Sequence, residues 1–271
     1  MDEIEKYIYN GLLGAMKPSG DGFSYVNLLN GPKVNGEGWG WKFDDLHVTC
    51  CNLNGPMGLA YIPYIAVMHS AKGPVINLYN AASVNLHSPA KKDLHLRIET
   101  DFPQSGHVMI NLSIAQKETF DLKLRIPEWS ENTVIKVNGE LINQVIPASY
   151  LSLNREWSDN DEIEIWFDMQ CRVIDAPQGS HPTSSNYQAL KWGPIVLARD
   201  ANIDPHYDQP VQIVSDKERH VQIQKVEPTL PGSRMEFIVP TTEGNIRMND
   251  YATIDGWQGS DVCTWLPLKK K

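Results

Sequence analysis

Asp93-Leu-His-Leu-Arg-Ile98, Val108-Met-Ile-Asn-Leu-Ser-Ile114 and Phe120-Asp-Leu-Lys-Leu-Arg-Ile126 place an apolar residue at every second position. Successive side chains of a β-strand point to opposite faces, so each segment offers one apolar face to bury and one polar face to leave in water. The series continues through Ile135 and Val137 into Asn138-Gly139, a pair suited to the positive φ angles of a tight hairpin. Leu151 and Leu153 follow, then Ile163, Ile165 and Phe167, with Trp157-Ser-Asp-Asn-Asp161 as the hairpin turn between them. Short alternating strands with turn signals between them predict an antiparallel β-sandwich over residues 73–175.

Outward from this block, residues 175–186, with Pro177, Gly179 and Pro182, read as a linker. Beyond it, residues 187–198 form a strand pair around Trp192-Gly-Pro194, and weaker strands run to the end, either as a second β unit or as completion of the first. On the N-terminal side, Ile4, Tyr7, Ile8, Gly11, Leu12 and Ala15 recur at helical steps, predicting a helix that stops by Pro18. Residues 23–28 read as a short strand, and residues 29–49 as an ordered functional loop anchored by Trp39 and Trp41. A second helix is expected from near Asn54, as N-cap, to about His69. Its residues, among them Met57, Leu59, Tyr61, Ile62 and Tyr64, are apolar nearly all round, which predicts burial on every side.

A chain of 271 residues has room for about two compact units. Hydrophobic residues at 41% and charged residues at 21% exclude a disordered or collagen-like chain. The most apolar stretch, Leu59 to Met68, is interrupted by Pro63 and falls well short of the roughly 18 residues a membrane span needs. With 24 Lys plus Arg against 33 Asp plus Glu, the net charge of −9 repels phosphate backbones and anionic lipid, so neither nucleic acid nor membrane is an expected partner. The opening Met-Asp-Glu-Ile-Glu-Lys lacks the apolar core of a secretory signal, which fits a cytoplasmic chain, or a periplasmic one whose true start lies upstream.

Four cysteines are too few for a disulfide scaffold, and two of them, Cys50 and Cys51, are adjacent. Near a helix N-terminus the backbone N–H groups favour a thiolate, which can serve as nucleophile or metal ligand. Zinc would take both sulfurs and two more donors. His47 is a possible third, while Cys171 and Cys263 are distant and fall in β regions. The plainer readings are two small buried apolar side chains or a strained vicinal disulfide. A redox role fits less well, because the cysteines lack the two-residue spacing of redox motifs. Glu37, Asp44 and Asp45 are carboxylates of the type glycoside chemistry uses in pairs, and Trp39, Trp41 and Tyr25 are aromatic platforms for a sugar ring. Asp159-Asn-Asp161 resembles a piece of a calcium loop but lacks its glycine and distal glutamate.

Phe23-Ser-Tyr-Val-Asn27, Thr49-Cys-Cys-Asn-Leu-Asn-Gly-Pro-Met-Gly-Leu59 and Val75-Ile-Asn-Leu-Tyr79 resemble the β-L-arabinofuranosidase-like glycoside hydrolases of family 127 and their relatives in family 146. Leu124-Arg-Ile-Pro-Glu-Trp129, Trp192-Gly-Pro194, Asp250-Tyr-Ala252 and Trp265-Leu-Pro267 extend the resemblance over nearly the whole chain. It implies an (α/α) barrel holding the active site, followed by β-sandwich domains, and a zinc-bound cysteine that attacks the anomeric carbon. Carried across, Cys50 is the nucleophile and a zinc ligand, Cys51 a second ligand, and Tyr25 a substrate-binding tyrosine. The family's other zinc ligands and its acid/base glutamate lie upstream of the matched strings, and Asn52-Leu53 replaces two prolines that follow the cysteine pair in family members.

The expectation is therefore a mainly β chain. Residues 1–72 are the last helices of a truncated barrel, 73–186 a β-sandwich, and 187–271 further strands. Its substrate is carbohydrate, its zinc site is incomplete, and by itself it is inactive. The rival is a non-catalytic carbohydrate-binding or structural β-sandwich protein.

Overall fold

The computed structural model describes residues 1–34, 50–177 and 184–269. The chain is mainly β and forms two compact units, residues 1–2 with 60–169 and residues 3–59 with 170–271. No helix among the described residues is long and apolar enough to cross a membrane.

The first helical segment runs without a break through α1 (Asp2–Lys6), a π-helical turn (Tyr7–Leu12) and α2 (Leu13–Ala15), and the backbone becomes extended at Met16. It stops where Pro18 predicts, but the wider π turn rotates the inward stripe. Ile8, Tyr9 and Leu12 are buried while Ile4 and Tyr7 are exposed. Residues 23–28 form no strand. Phe23 and Asn27 make isolated bridges to Met16 and Val34, and the first strand is β1 (Asn30–Pro32).

The second helix, α3 (Cys50–Ala66), begins four residues before the expected cap at Asn54 and ends where β2 (Val67–Ser70) starts. Burial on every side is not what the structure has. Gly55 is the buried residue of this helix, and Leu53, Tyr61 and Tyr64 are 71%, 58% and 77% exposed. Asn77 accounts for where the helix stops: its backbone N–H donates to Ala66 O at 2.8 Å and its Nδ2 to Ile65 O at 2.9 Å, satisfying carbonyls that the last turn leaves open.

The first unit holds β2, β3 (Gly73–Ile76), β4 (Ala82–His87), β5 (Asp93–Thr100), β6 (His107–Ile114), β7 (Glu118–Ile126), β8 (Val134–Val137), β9 (Glu140–Leu141), β10 (Ser149–Trp157) and β11 (Asp161–Trp166). They form a four-stranded sheet, β10-β7-β3-β2, and a six-stranded sheet, β4-β5-β6-β11-β8-β9. All pairs are antiparallel except β3 with β7. Asn138 and Gly139, at φ 52° and 82°, close the expected β8–β9 hairpin. The Trp157–Asp161 connection is not a hairpin turn, because β10 pairs with β7 whereas β11 pairs with β6 and β8, so it carries the chain from one sheet to the other. The alternating residues Leu96, Ile110, Leu112, Leu122, Leu124 and Ile163 are fully buried, each stabilising by about 1.5–3 kcal/mol relative to exposure. Trp157 stacks on Phe120 and donates its Nε1–H to Phe120 O at 3.1 Å.

The second unit holds β1 with β12 (Cys171–Asp175), β13 (Tyr187–Trp192), β14 (Ile195–Asp200), β15 (His220–Val221), β16 (Gln224–Val226), β17 (Glu236–Thr241), β18 (Gly244–Asp250), β19 (Asp261–Cys263) and β20 (Leu266–Pro267). Their order is β15-β12-β13-β14-β18-β17-β16, with β1 on β19, β19 on β14 and β20 on β13. Ala198, Tyr251, Ile254 and Val262 form a buried apolar cluster. Asn10 ties the N-terminal helix to this sheet, accepting from Val196 N at 2.7 Å and donating to Pro194 O at 2.8 Å. Lys33 is buried as well. Its Nζ donates to Ala252 O at 3.0 Å and Ile254 O at 2.6 Å and lies 5.0 Å from the centre of the Tyr251 ring. Burial pushes its pKa down to about 8 against the pull of Asp250, Asp255 and Asp200.

Candidate functional site

Cys50 and Cys51 open α3 rather than precede it. Two features fix this first turn against the segment before it. Asn52 Oδ1 accepts from Phe23 N at 2.8 Å, and Gly55 lies against the Phe23 ring so closely that an added Cβ would meet it at 2.3 Å. Cys50 is exposed, Cys51 half-buried, and both are free. The sulfurs are 3.9 Å apart, so the vicinal disulfide is not formed. Burial, followed by the hydrogen bond with Cys50, pushes the Cys51 thiol pKa up, opposite to the direction a helix N-terminus alone would give.

The spacing tests whether this pair suits a metal. With Zn–S bonds of about 2.3 Å, two ligands at a tetrahedral angle hold their sulfurs about 3.8 Å apart. The observed 3.9 Å fits two corners of such a site. Among the described residues no third His, Cys, Asp or Glu joins them within ligating distance. Cys171 and Cys263 lie on β12 and β19, where burial raises their thiols to about 12 and about 11, and neither joins the pair in a cluster of ligating atoms. Tyr25, two residues beyond the Phe23 contact, carries a side chain 46% exposed. His47, Glu37, Asp44, Asp45, Trp39 and Trp41 lie outside the described residues.

Other sequence candidates resolve as structure. Asp159 Oδ1 accepts from Ile114 N, and Asp161 accepts from Ser158 N and Asn138 Nδ2, so these carboxylates hold the passage between sheets. Trp129 and Trp157 are core residues, the former packed on Phe102 and Phe167. Sequence reading missed Asp216, Glu218 and His220, whose ligating atoms lie within 4.8 Å of one another on the surface. Asp216 there closes a turn, accepting from the N–H groups of His220 and Glu218, and these bonds, His220 first, lower its carboxyl pKa. Also missed was a cavity of about 330 Å³ in the second unit, lined by Lys17, Arg234, Asp255 and Trp257 among others.

Residues 74–169, the two-sheet block, match the family described as "Beta-L-arabinofuranosidase, GH127 middle domain". The two-sheet block is GH127-like. As a fold, 99% of this chain superposes on a GH127 β-L-arabinofuranosidase from Geobacillus stearothermophilus T6, at a TM-score of 0.78 and 21% identity, covering 46% of that chain. The same share superposes on a structure described as a glycoside hydrolase, with TM-score 0.78, 21% identity and 48% of that chain covered. A further GH127 β-arabinofuranosidase gives TM-score 0.82 at 22% identity, with 99% of this chain and 45% of that one covered. The chain thus spans about half the length of the solved structures it matches, and at these identities the likeness is one of fold. No curated protein matches it by sequence.

Proposed function

We propose that the chain is the C-terminal part of a retaining glycoside hydrolase acting on β-L-arabinofuranosyl linkages, with Cys50 as nucleophile and Cys50 and Cys51 as two zinc ligands. The observation that carries the reading is the cysteine pair, its sulfurs 3.9 Å apart at the start of a helix in a GH127-like fold. The exposed apolar side chains of that helix, Leu53, Met57, Tyr61 and Tyr64, support it, since they suit packing against further helices.

Zinc, when bound, supplies the charge that holds a thiolate at neutral pH. Cys50, exposed on the first turn, offers its sulfur to the anomeric carbon. The C–O bond to the leaving group breaks as a carboxylic acid protonates the departing oxygen. Water then attacks the same carbon, passing a proton to the carboxylate left by the first step, and releases the Cys50 thiolate, and two inversions give retention. Cys51, less exposed, orients the pair, and Tyr25 presents an accessible ring for the sugar.

The test is cobalt substitution of this chain and of a longer form carrying the upstream sequence. Thiolate-to-cobalt charge transfer that disappears in Cys50→Ser and Cys51→Ser, with arabinofuranosidase activity only in the longer form and lost in Cys50→Ser, is the expected result. Full activity of Cys50→Ser in the longer form overturns the nucleophile assignment, and a longer form that binds carbohydrate but shows no activity even with both cysteines intact leaves the non-catalytic carbohydrate-binding reading.

A further inference from the structure

The second unit contains a cavity of about 330 Å³ whose wall comes from three separated parts of the sequence: the end of the N-terminal helix, the turn at Pro231 and Gly232, and the segment from Ala252 to Trp257. Its volume falls at the lower end of small-molecule sites. Two observations concern its wall. Trp257 Nε1 and Arg234 Nε are both buried donors that make no hydrogen bond. Buried polar groups are nearly always paired, and an unpaired donor is costly, so two of them on residues lining one cavity mark where acceptor oxygens belong.

The cations of the wall already have carboxylate partners. Arg234 Nη2 donates to Asp250 Oδ1 at 3.0 Å, and Asp250 is fully buried. Lys17 Nζ sits 5.6 Å from the centre of the Trp257 ring and 3.9 Å from Asp21. Asp255 Oδ1 accepts from Trp257 N and Gln258 N, which leaves Oδ2 to accept from a ligand. A strongly anionic ligand finds no unpaired cation here. A ligand rich in oxygens, carrying both donors and acceptors and an apolar C–H face for an indole, finds all three.

We propose that this cavity binds a neutral sugar residue of a glycan, seated against Trp257. Its hydroxyl oxygens accept from Trp257 Nε1 and Arg234 Nε, and one hydroxyl donates to Asp255. Both donor atoms are buried as they stand, so binding has to turn the indole or the guanidinium toward the cavity, and Trp257 reports it by its emission. The choice of arabinose as probe rests on the hydrolase reading, whereas the site itself rests on the cavity and its unpaired donors.

The experiment is saturation-transfer NMR and tryptophan fluorescence on the full chain with L-arabinose and methyl β-L-arabinofuranoside, and with glycerol as control. Expected is millimolar binding of a sugar, weakened about tenfold in Trp257→Ala and about threefold in Trp257→Phe, which keeps an aromatic face but loses the donor. Arg234→Lys, whose fold is checked by circular dichroism, should weaken it similarly. Cys50→Ser should bind as the wild type does. No transfer to either sugar at about 50 mM, or equal transfer to glycerol, overturns the proposal. Binding that is lost in Cys50→Ser but kept in the Trp257 variants also overturns it, and in that case the cysteine site of the proposed function stands alone.

Discussion

Replacing Lys33 by methionine isolates the energetics of the buried cation. The ammonium is 2% exposed, and its pKa falls from 10.5 to about 8. At about 1.4 kcal/mol per pKa unit, burying the charged form costs the native state about 3 kcal/mol at pH 7, where the folded and unfolded chains both hold the proton. Between pH 8 and 10.5 the unfolded chain still holds a proton that the native chain has released, so this contribution to stability rises with pH, and it is complete only above the unfolded value. From pH 7 to about 9.5 the wild type should therefore gain about 2 kcal/mol relative to Lys33→Met, all other titrations being common to both. Urea unfolding at the two pH values and constant salt, followed by tryptophan emission, reads the difference directly. Because the chain has two compact units, the relevant transition is the one that the substitution moves. A wild-type-minus-variant difference that stays flat, or falls with pH, would refute the account of Lys33 as a desolvated ammonium.

Trp157→Ala should cost about 3–5 kcal/mol, since it empties a fully buried site against Phe120 and removes the donor to Phe120 O; a loss below about 1 kcal/mol in urea unfolding contradicts that packing. Gly55→Ala should destabilise by about 1–3 kcal/mol despite alanine's better helix propensity, because the new Cβ strikes the Phe23 ring. Combining it with Phe23→Ala should cost less than the sum of the single changes, and strict additivity would argue against the contact. With iodoacetamide at pH 7.5, mass spectrometry should find Cys50 alkylated first and Cys51 more slowly. Cys171 and Cys263 should react only after unfolding, since burial places their thiols at about 12 and about 11; native labelling of Cys171 at the rate of Cys50 is the contrary result.

The two-sheet block was legible because burial on one face writes a period of two into Leu94, Leu96 and Ile98, because Phe120, Leu122 and Leu124 keep that period although Asp121 and Arg125 on the other face are buried as well, and because Asn138-Gly139 meets a backbone demand few other pairs satisfy. Pairing partners left no such trace. The parallel contact of β3 with β7 and the passage from β10 to β11 depend on strands far apart in sequence. Helix limits misled for local reasons. Asn54 has a capping side chain, yet the helix begins at Cys50, and the π turn after Lys6 moves Tyr7 outward against its spacing. The composition of α3 reads as buried, but composition records what a face suits, not what covers it. Of the site, the adjacency of Cys50 and Cys51 was enough to single them out, whereas their hold on Phe23 through Asn52 and Gly55 needs tertiary structure. The cavity at Trp257 had no sequence signal at all, since no periodicity links Lys17, Arg234 and Asp255.

The second unit is interrupted by the first, and this sets an order of assembly on the ribosome. Asn30 of β1 meets Cys263 of β19 across 233 residues, and Lys33 waits for carbonyls at Ala252 and Ile254. At about 5–20 residues per second, the N-terminal edge stays without its partners for roughly 10–50 s, while residues 60–169, nearly continuous in sequence, can close first. Throughout that interval the helix opened by Cys50 and Cys51 has only the Phe23 segment of its own unit to hold its first turn, so a chaperone or a thiol oxidant can meet the cysteine pair before that unit closes.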